Sequence, residues 1–121
     1  MRDGWTETTL GKIADVVGGG TPSTKVPEYW GDDVVWLTPT EIVASDGKVV
    51  TDSERRISQL GLSNSGAKLL PAGTVILTSR ASVGFVAIAG RELATNQGFQ
   101  SLVPGEDVEA RFLMFWVQAN R

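Results

Sequence analysis

Residues 74–100, TVILTSRASVGFVAIAGRELATNQGFQ, hold the pattern that decides how this chain folds. Thr74-Val75-Ile76-Leu77 is a short apolar run bounded by turn residues, as a buried strand is. Gly84 to Ala89 is a second such run and the expected pairing partner of the first. Between them lies an exposed corner, Thr78-Ser79-Arg80-Ala81-Ser82. Arginine offers five donors in a planar fork, and with Thr78, Ser79 and Ser82 around it Arg80 suits guanine O6 and N7 or a phosphate. The corner therefore reads as a DNA contact. The competing reading of Arg80 is an ion pair to Glu41 or Glu92.

Downstream, Asn96-Gln97-Gly98 carries the amides that can read adenine bidentately, or else forms a tight turn whose amides satisfy the local backbone. Gln100 to Val103 reads as a strand stopped by Pro104-Gly105. Asp107 then caps a helix of about three turns over Val108 to Arg121. Phe112, Leu113, Phe115, Trp116 and Val117 give this helix a wide apolar face that calls for a partner.

Upstream, Thr8-Thr9 followed by Leu10 to Asp15 suggests a short capped helix, leading through Val16-Val17 into Gly18-Gly19-Gly20. The glycines do not make a nucleotide-binding P-loop, because the next lysine, Lys25, follows a proline and lies outside the required spacing. They read as a turn needing positive φ, or as a contact to a nucleic-acid backbone through Thr21, Ser23 and Lys25. Tyr29 and Trp30 either stack on bases or staple a loop to the core. Val34-Val35-Trp36-Leu37 is a buried strand with Trp36 in the core.

Thr38-Pro39-Thr40-Glu41-Ile42 has a cap threonine, proline at the first helical position and glutamate three residues after the cap, which predicts one helical turn. Thr38 and Thr40 present hydroxyls beside it. Ser45-Asp46-Gly47-Lys48, continued by Val49-Val50-Thr51, fits a hairpin-like excursion. Asp52 to Arg56 reads as a solvated charge run. Ser58 to Gly66 reads as a short helix ended by glycine, and Pro71-Ala72-Gly73 as a turn back into the central stretch.

Composition narrows what these motifs can do. The 121 residues suit one domain with one core, and the hydrophobic share of 41% is that of an ordinary globular chain. Cysteine and histidine are both absent, which removes disulfides, Cys/His zinc sites, thiol nucleophiles and histidine bases; no cofactor is expected. The adjacent acids Asp32-Asp33 and Glu106-Asp107 lie at turn or cap positions, so a catalytic carboxylate pair is the weaker reading. A non-catalytic protein or carbohydrate interaction module using Tyr29 and Trp30 stays open beside DNA recognition. No apolar run reaches bilayer length and MRDGWTETTL lacks an apolar leader core, so no membrane and a cytoplasmic location are expected. A net charge of −3 opposes unaided binding to duplex DNA, unless Lys12, Lys25 and Lys68 supply local phosphate contacts or a larger assembly does so.

From Leu10 to Pro104 the chain resembles a target recognition domain of the DNA specificity subunit of type I restriction–modification systems. The pieces that carry the resemblance are LGKIADVVGGGTPS, PEYWGDDVVWLTPTEI, GLSNSGAKLLPAGTVILTSRASVG and ATNQGFQSLVP, in that order. The resemblance implies an α+β domain, a small mixed sheet of short strands with short helices, ending in the apolar C-terminal helix. It implies that one half of a split double-stranded DNA target is read through the major groove, while methylation and restriction subunits carry the chemistry. Such subunits place two of these domains beside long helices, so a single domain truncated within or just after residues 107–121 is expected here, with a homodimer through the terminal helix to cover its apolar face.

Overall fold

The computed structural model describes residues 14–78, 85–105 and 108–119. Among them the strands are β1 (Ala14–Val17), β2 (Trp30–Leu37), β3 (Val49–Val50), β4 (Arg55–Ile57), β5 (Val75–Leu77), β6 (Val86–Ala89), β7 (Ala94–Thr95) and β8 (Ser101–Pro104). The α-helices are α1 (Pro39–Val43), α2 (Gln59–Ser63) and α3 (Ala110–Ala119). A 3-10 turn, Pro27–Tyr29, leads into β2. No helix among the described residues is long and apolar enough to cross a membrane.

The strands form a five-stranded sheet, ordered β1-β8-β5-β6-β3, and a three-stranded sheet, ordered β4-β2-β7. Both are mixed: β3 runs parallel to β6 and β7 parallel to β2, while the other pairs are antiparallel. The α+β expectation holds, with two small sheets in place of one.

Period-two alternation builds the layers. Val35 and Leu37 of β2 join Ile76 of β5 and Ala87 and Ala89 of β6 in a core between the sheets, closed by Ile42, Leu70, Leu93 and Phe99. The intervening residues face the other way. Val34 and Trp36 pack with Ile57, Ala67 and Ala94 on the outer face of the small sheet. Val75, Val86 and Ile88 meet Leu113, Met114 and Val117 of α3 on the outer face of the large one. Each fully buried aliphatic side chain of this kind contributes roughly 1.5–3 kcal/mol, so α3 is fastened by its inner stripe. Its Phe112 and Phe115 remain 56% and 63% exposed.

The central stretch folds as its pattern predicts: β5 and β6 pair antiparallel, with Val75 opposite Ile88 and Leu77 opposite Val86. Other local expectations are overturned by tertiary contacts. Ala14 and Asp15 lie in a strand, since pairing with Pro104 and Val103 of β8 fixes them extended; the rest of the expected helix, with Lys12, lies outside the described residues. The Asp46-Gly47 turn forms, with Gly47 at φ 77°, but it makes no hairpin. Val86 N donates to Asp46 Oδ1 and Gly47 N to Val86 O, so the turn docks on β6 and β3 runs alongside in parallel. The Asp52–Arg56 charge run enters β4 at Arg55. Helix α2 ends at Ser63 with Asn64 at its C-cap, before Gly66 is reached.

Candidate nucleic-acid interface

Strands β2 and β7 are parallel, so both deliver their following loops to one end of the small sheet. Leu37 lies opposite Thr95 there, and Asn96 N donates to Leu37 O. Four chain-distant segments gather around this point. The glycine segment arrives first: Gly20 N donates to Thr95 O, and the buried Trp36 indole donates from Nε1 to Gly20 O at 3.0 Å.

The glycines are explained by proximity rather than by a left-handed turn. Among the described residues only Gly47 and Gly73 have positive φ. A Cβ on Gly19 would stand 2.2 Å from Asn96 O, and one on Gly20 2.5 Å from the Gly66 carbonyl carbon. Backbone therefore passes against backbone at both positions, which a side chain forbids.

The second segment is Thr38–Thr40. Glu41 Oε2 accepts from Thr38 N at 2.9 Å and from Thr38 Oγ1 at 3.0 Å, while Oε1 accepts from Glu54 N. One carboxylate thus holds the start of α1 and the approach to β4 together. It also leaves Glu41 committed to neutral donors. Thr38 has its hydroxyl engaged, whereas Thr40 is exposed.

The third segment is the Asn96–Gly98 turn. Asn96 Oδ1 accepts from Gly98 N at 2.8 Å, the local role open to it from the sequence, and Gly98 abuts the Pro39 ring, where a Cβ would come within 2.8 Å of Cγ. Gln97 is exposed and takes a hydrogen bond from the Thr21 hydroxyl at 2.5 Å. The fourth segment enters at Thr78, which bridges to Phe99 and whose N donates to Phe85 O at 3.1 Å. Thr78 is buried, so its side chain is framework at this spot and not contact surface. Ser79, Arg80 and Ser82, along with Glu106 and Asp107, lie outside the described residues.

Thr21, Thr38, Thr40 and Gln97 therefore stand on loops joined by direct contacts, with Thr78 beneath the same turn. Ser23, Lys25 and Tyr29 stand apart, towards Trp30. Trp30 Nε1 donates to Ser23 O at 3.1 Å, Lys25 N donates to Ser23 Oγ, and Tyr29 O accepts from Ser58 N. Lys25 and Lys68 are exposed. Asp33 accepts from Gln59 N at the start of α2, the local use of an acid that its turn position suggests.

The Trp30 ring is engaged by two neighbours. Its ring meets Trp36 edge to face at 5.2 Å, and the Arg55 guanidinium carbon lies 4.4 Å from its centroid. Two tryptophans six residues apart in a regular strand would be about 20 Å apart. Here Trp30 and Val34 both pair with Ile57, so residues 31–33 bulge out and bring the rings together. Arg55 escapes a reading of the sequence because it sits inside a charge run. Its usable signal is the cross-strand position opposite Trp36, which exists only once β2 and β4 are paired.

The comparisons agree with this architecture. The family described as type I restriction modification DNA specificity domain matches residues 2–121. The MjaIX specificity subunit of Methanocaldococcus jannaschii is 39% identical over 111 residues, covering 92% of this chain and 26% of that protein. The HindI specificity subunit of Haemophilus influenzae is 26% identical over 110 residues, covering 91% and 24%. Among solved structures, the HsdS subunit from Thermoanaerobacter tengcongensis superposes with a TM-score of 0.61 at 20% identity, over 89% of this chain and 25% of that one. A chain from a study of complex assembly in a type I R-M system gives 0.65 at 19% identity, over 90% and 26%. The chain spans about a quarter of the length of the curated relatives it matches. Matched almost end to end, and with the fold of those structures, it belongs to the type I restriction modification DNA specificity domain family.

Proposed function

We propose that the chain is a non-catalytic module that reads one half of a split duplex target and presents that choice to separate methylation and restriction subunits. The observation that carries this reading is the gathering of three chain-distant loops, bearing Thr21, Thr38 with Thr40, and Gln97, at one end of the small sheet in a member of this family. Hydroxyls and amides on rigidly seated loops are suited to base edges. Ser79, Arg80 and Ser82, which follow Thr78 in the sequence, are assigned as further DNA contacts on their chemistry alone.

With a net charge of −3, the chain offers little of the phosphate attraction that dominates unspecific binding. Lys25 and Lys68 supply local phosphate contacts, and the partner subunits supply the rest. Binding by the isolated chain is accordingly weak and, with few phosphate contacts, only shallowly salt-dependent. Sugar stacking is not favoured, since the Trp30 ring is occupied by Arg55 and Trp36. The exposed Phe112 and Phe115 support self-association through α3 when nothing else covers them. Sedimentation at the mass of one chain would exclude that.

The test is target choice in the reconstituted assembly. Exchanging residues 38–42 for those of a relative with another target, and separately making Arg80→Ala, is expected to change which duplexes are bound and methylated. Unchanged specificity in both would remove these residues from the recognition surface.

A further inference from the structure

Arg55 is held in a way that its neighbour is not. It lies across the ladder from Trp36, with its guanidinium carbon 4.4 Å from the Trp30 centroid and 5.2 Å from that of Trp36. Both indoles are themselves anchored, Trp36 to Gly20 O and Trp30 to Ser23 O. Arg56, the next residue, is consumed by Asp52 at 2.8 Å and by the Asp32 carbonyl. Among the described residues no carboxylate lies within ion-pair distance of Arg55. An exposed guanidinium has thus been oriented by stacking while its donors meet no protein acceptor among the described residues.

Its position adds a second constraint. Arg55 and Glu54 line both of two adjoining open grooves, one running past Trp30 and Asp32, the other past Trp36, Thr38, Thr40 and Glu41. Three carboxylates stand in these walls, and Arg56 beside them is already paired with Asp52, so their charge disfavours a phosphodiester. A base edge carries no net charge, and guanine presents two acceptors, O6 and N7, at the spacing of the arginine fork.

Resting on the reading of the chain as a DNA-recognition module, we propose that Arg55, seated on Trp30 and Trp36, reads a guanine in the major groove beside the Thr38–Thr40 loop. Stacking fixes the plane of the fork before DNA arrives, so less side-chain freedom is lost on binding. The arginine selects one base, and the surrounding carboxylates keep the backbone away from it.

The experiment uses the chain assembled with its methylation subunits and a duplex pool randomised across the target, read by methylation. Arg55→Lys keeps the charge and removes the fork. It is expected to lower the preference for guanine at one position roughly ten- to a hundredfold while leaving the other positions as they were. The wild-type assembly, offered 7-deazaguanine at each target guanine in turn, is expected to lose binding at that same position, a readout independent of how the variant folds. Equal base preferences in Arg55→Lys and no sensitive 7-deazaguanine position would overturn the proposal. So would a uniform loss across all sequences with a shallower salt dependence, which marks a phosphate contact. Exchanging the whole chain for a relative's equivalent segment separates the two levels. If the target moves with the segment but not with Arg55, the arginine assignment alone fails; if it does not move, the reading of the chain as a recognition module fails with it.

Discussion

Trp36 and Gly20 are joined by a buried hydrogen bond of 3.0 Å from the indole Nε1 to the glycine carbonyl, so the outer core of the small sheet and the glycine segment are one unit. Trp36→Phe keeps much of the ring and deletes the donor. The orphaned carbonyl costs about 1–3 kcal/mol, with the lost packing added. Urea unfolding of both forms is expected to show the midpoint fall accordingly, and the Thr21 loop to lose hydrogen-exchange protection with it.

Three adjacent glycines are predicted to respond differently to one methyl group. Gly18→Ala meets nothing within 4 Å and has no positive φ, so its thermal midpoint should stay level or rise slightly. Gly19→Ala and Gly20→Ala drive a Cβ into backbone at 2.2 and 2.5 Å and should each cost about 1–3 kcal/mol. Equal melting of all three variants would contradict the close approach.

Glu41 couples α1 to the approach of β4 through Thr38 and Glu54. Removing it in Glu41→Ala should destabilise the fold by about 1–2 kcal/mol, the range for loss of a helix cap. Glu41→Gln, which retains one acceptor, should cost less. Calorimetry of the two variants against wild type gives the ranking.

Asp52 titrates below the usual carboxylate range, first because Arg56 donates to it, then because Ser53 N does, and through the attraction of the Arg56 charge. A depressed native pKa stabilises the fold above the unfolded-state value near 3.9, and that contribution is lost as pH falls through the native value. Asp52→Asn should therefore lower the melting temperature slightly at pH 7 and by progressively less in acid, until the two curves meet. The pair is exposed, so added salt should shrink the difference too.

What the sequence revealed, and what it concealed, follows from the range of the forces involved. β5, β6, the four-residue run ending in Leu37 and the Thr38–Glu41 cap are set by neighbours in the chain, and the pattern shows them. The extended state of Ala14-Asp15 is imposed by β8, about three quarters of the chain length away, and local propensity points elsewhere. The glycine segment was legible as glycine-dependent but not for its reason, since Gly19 needs room for Asn96 and Gly20 for Gly66. Arg55 was hidden among charges because its partners are two rings on another strand, brought together by a bulge at residues 31–33. Thr21 and Gln97 were each nameable as candidates, while their mutual hydrogen bond spans 76 positions and has no local trace.

The two-sided burial of β6 sets where this molecule is free to change. Val86 and Ile88 serve one core and Ala87 and Ala89 the other, so no side chain along that strand is left over for a ligand. Novelty is confined to the rims, where a replaced loop disturbs few packed neighbours. Members of this family should then superpose along their strands and diverge in loop length and chemistry, with change arising by local replacement on an unaltered interior.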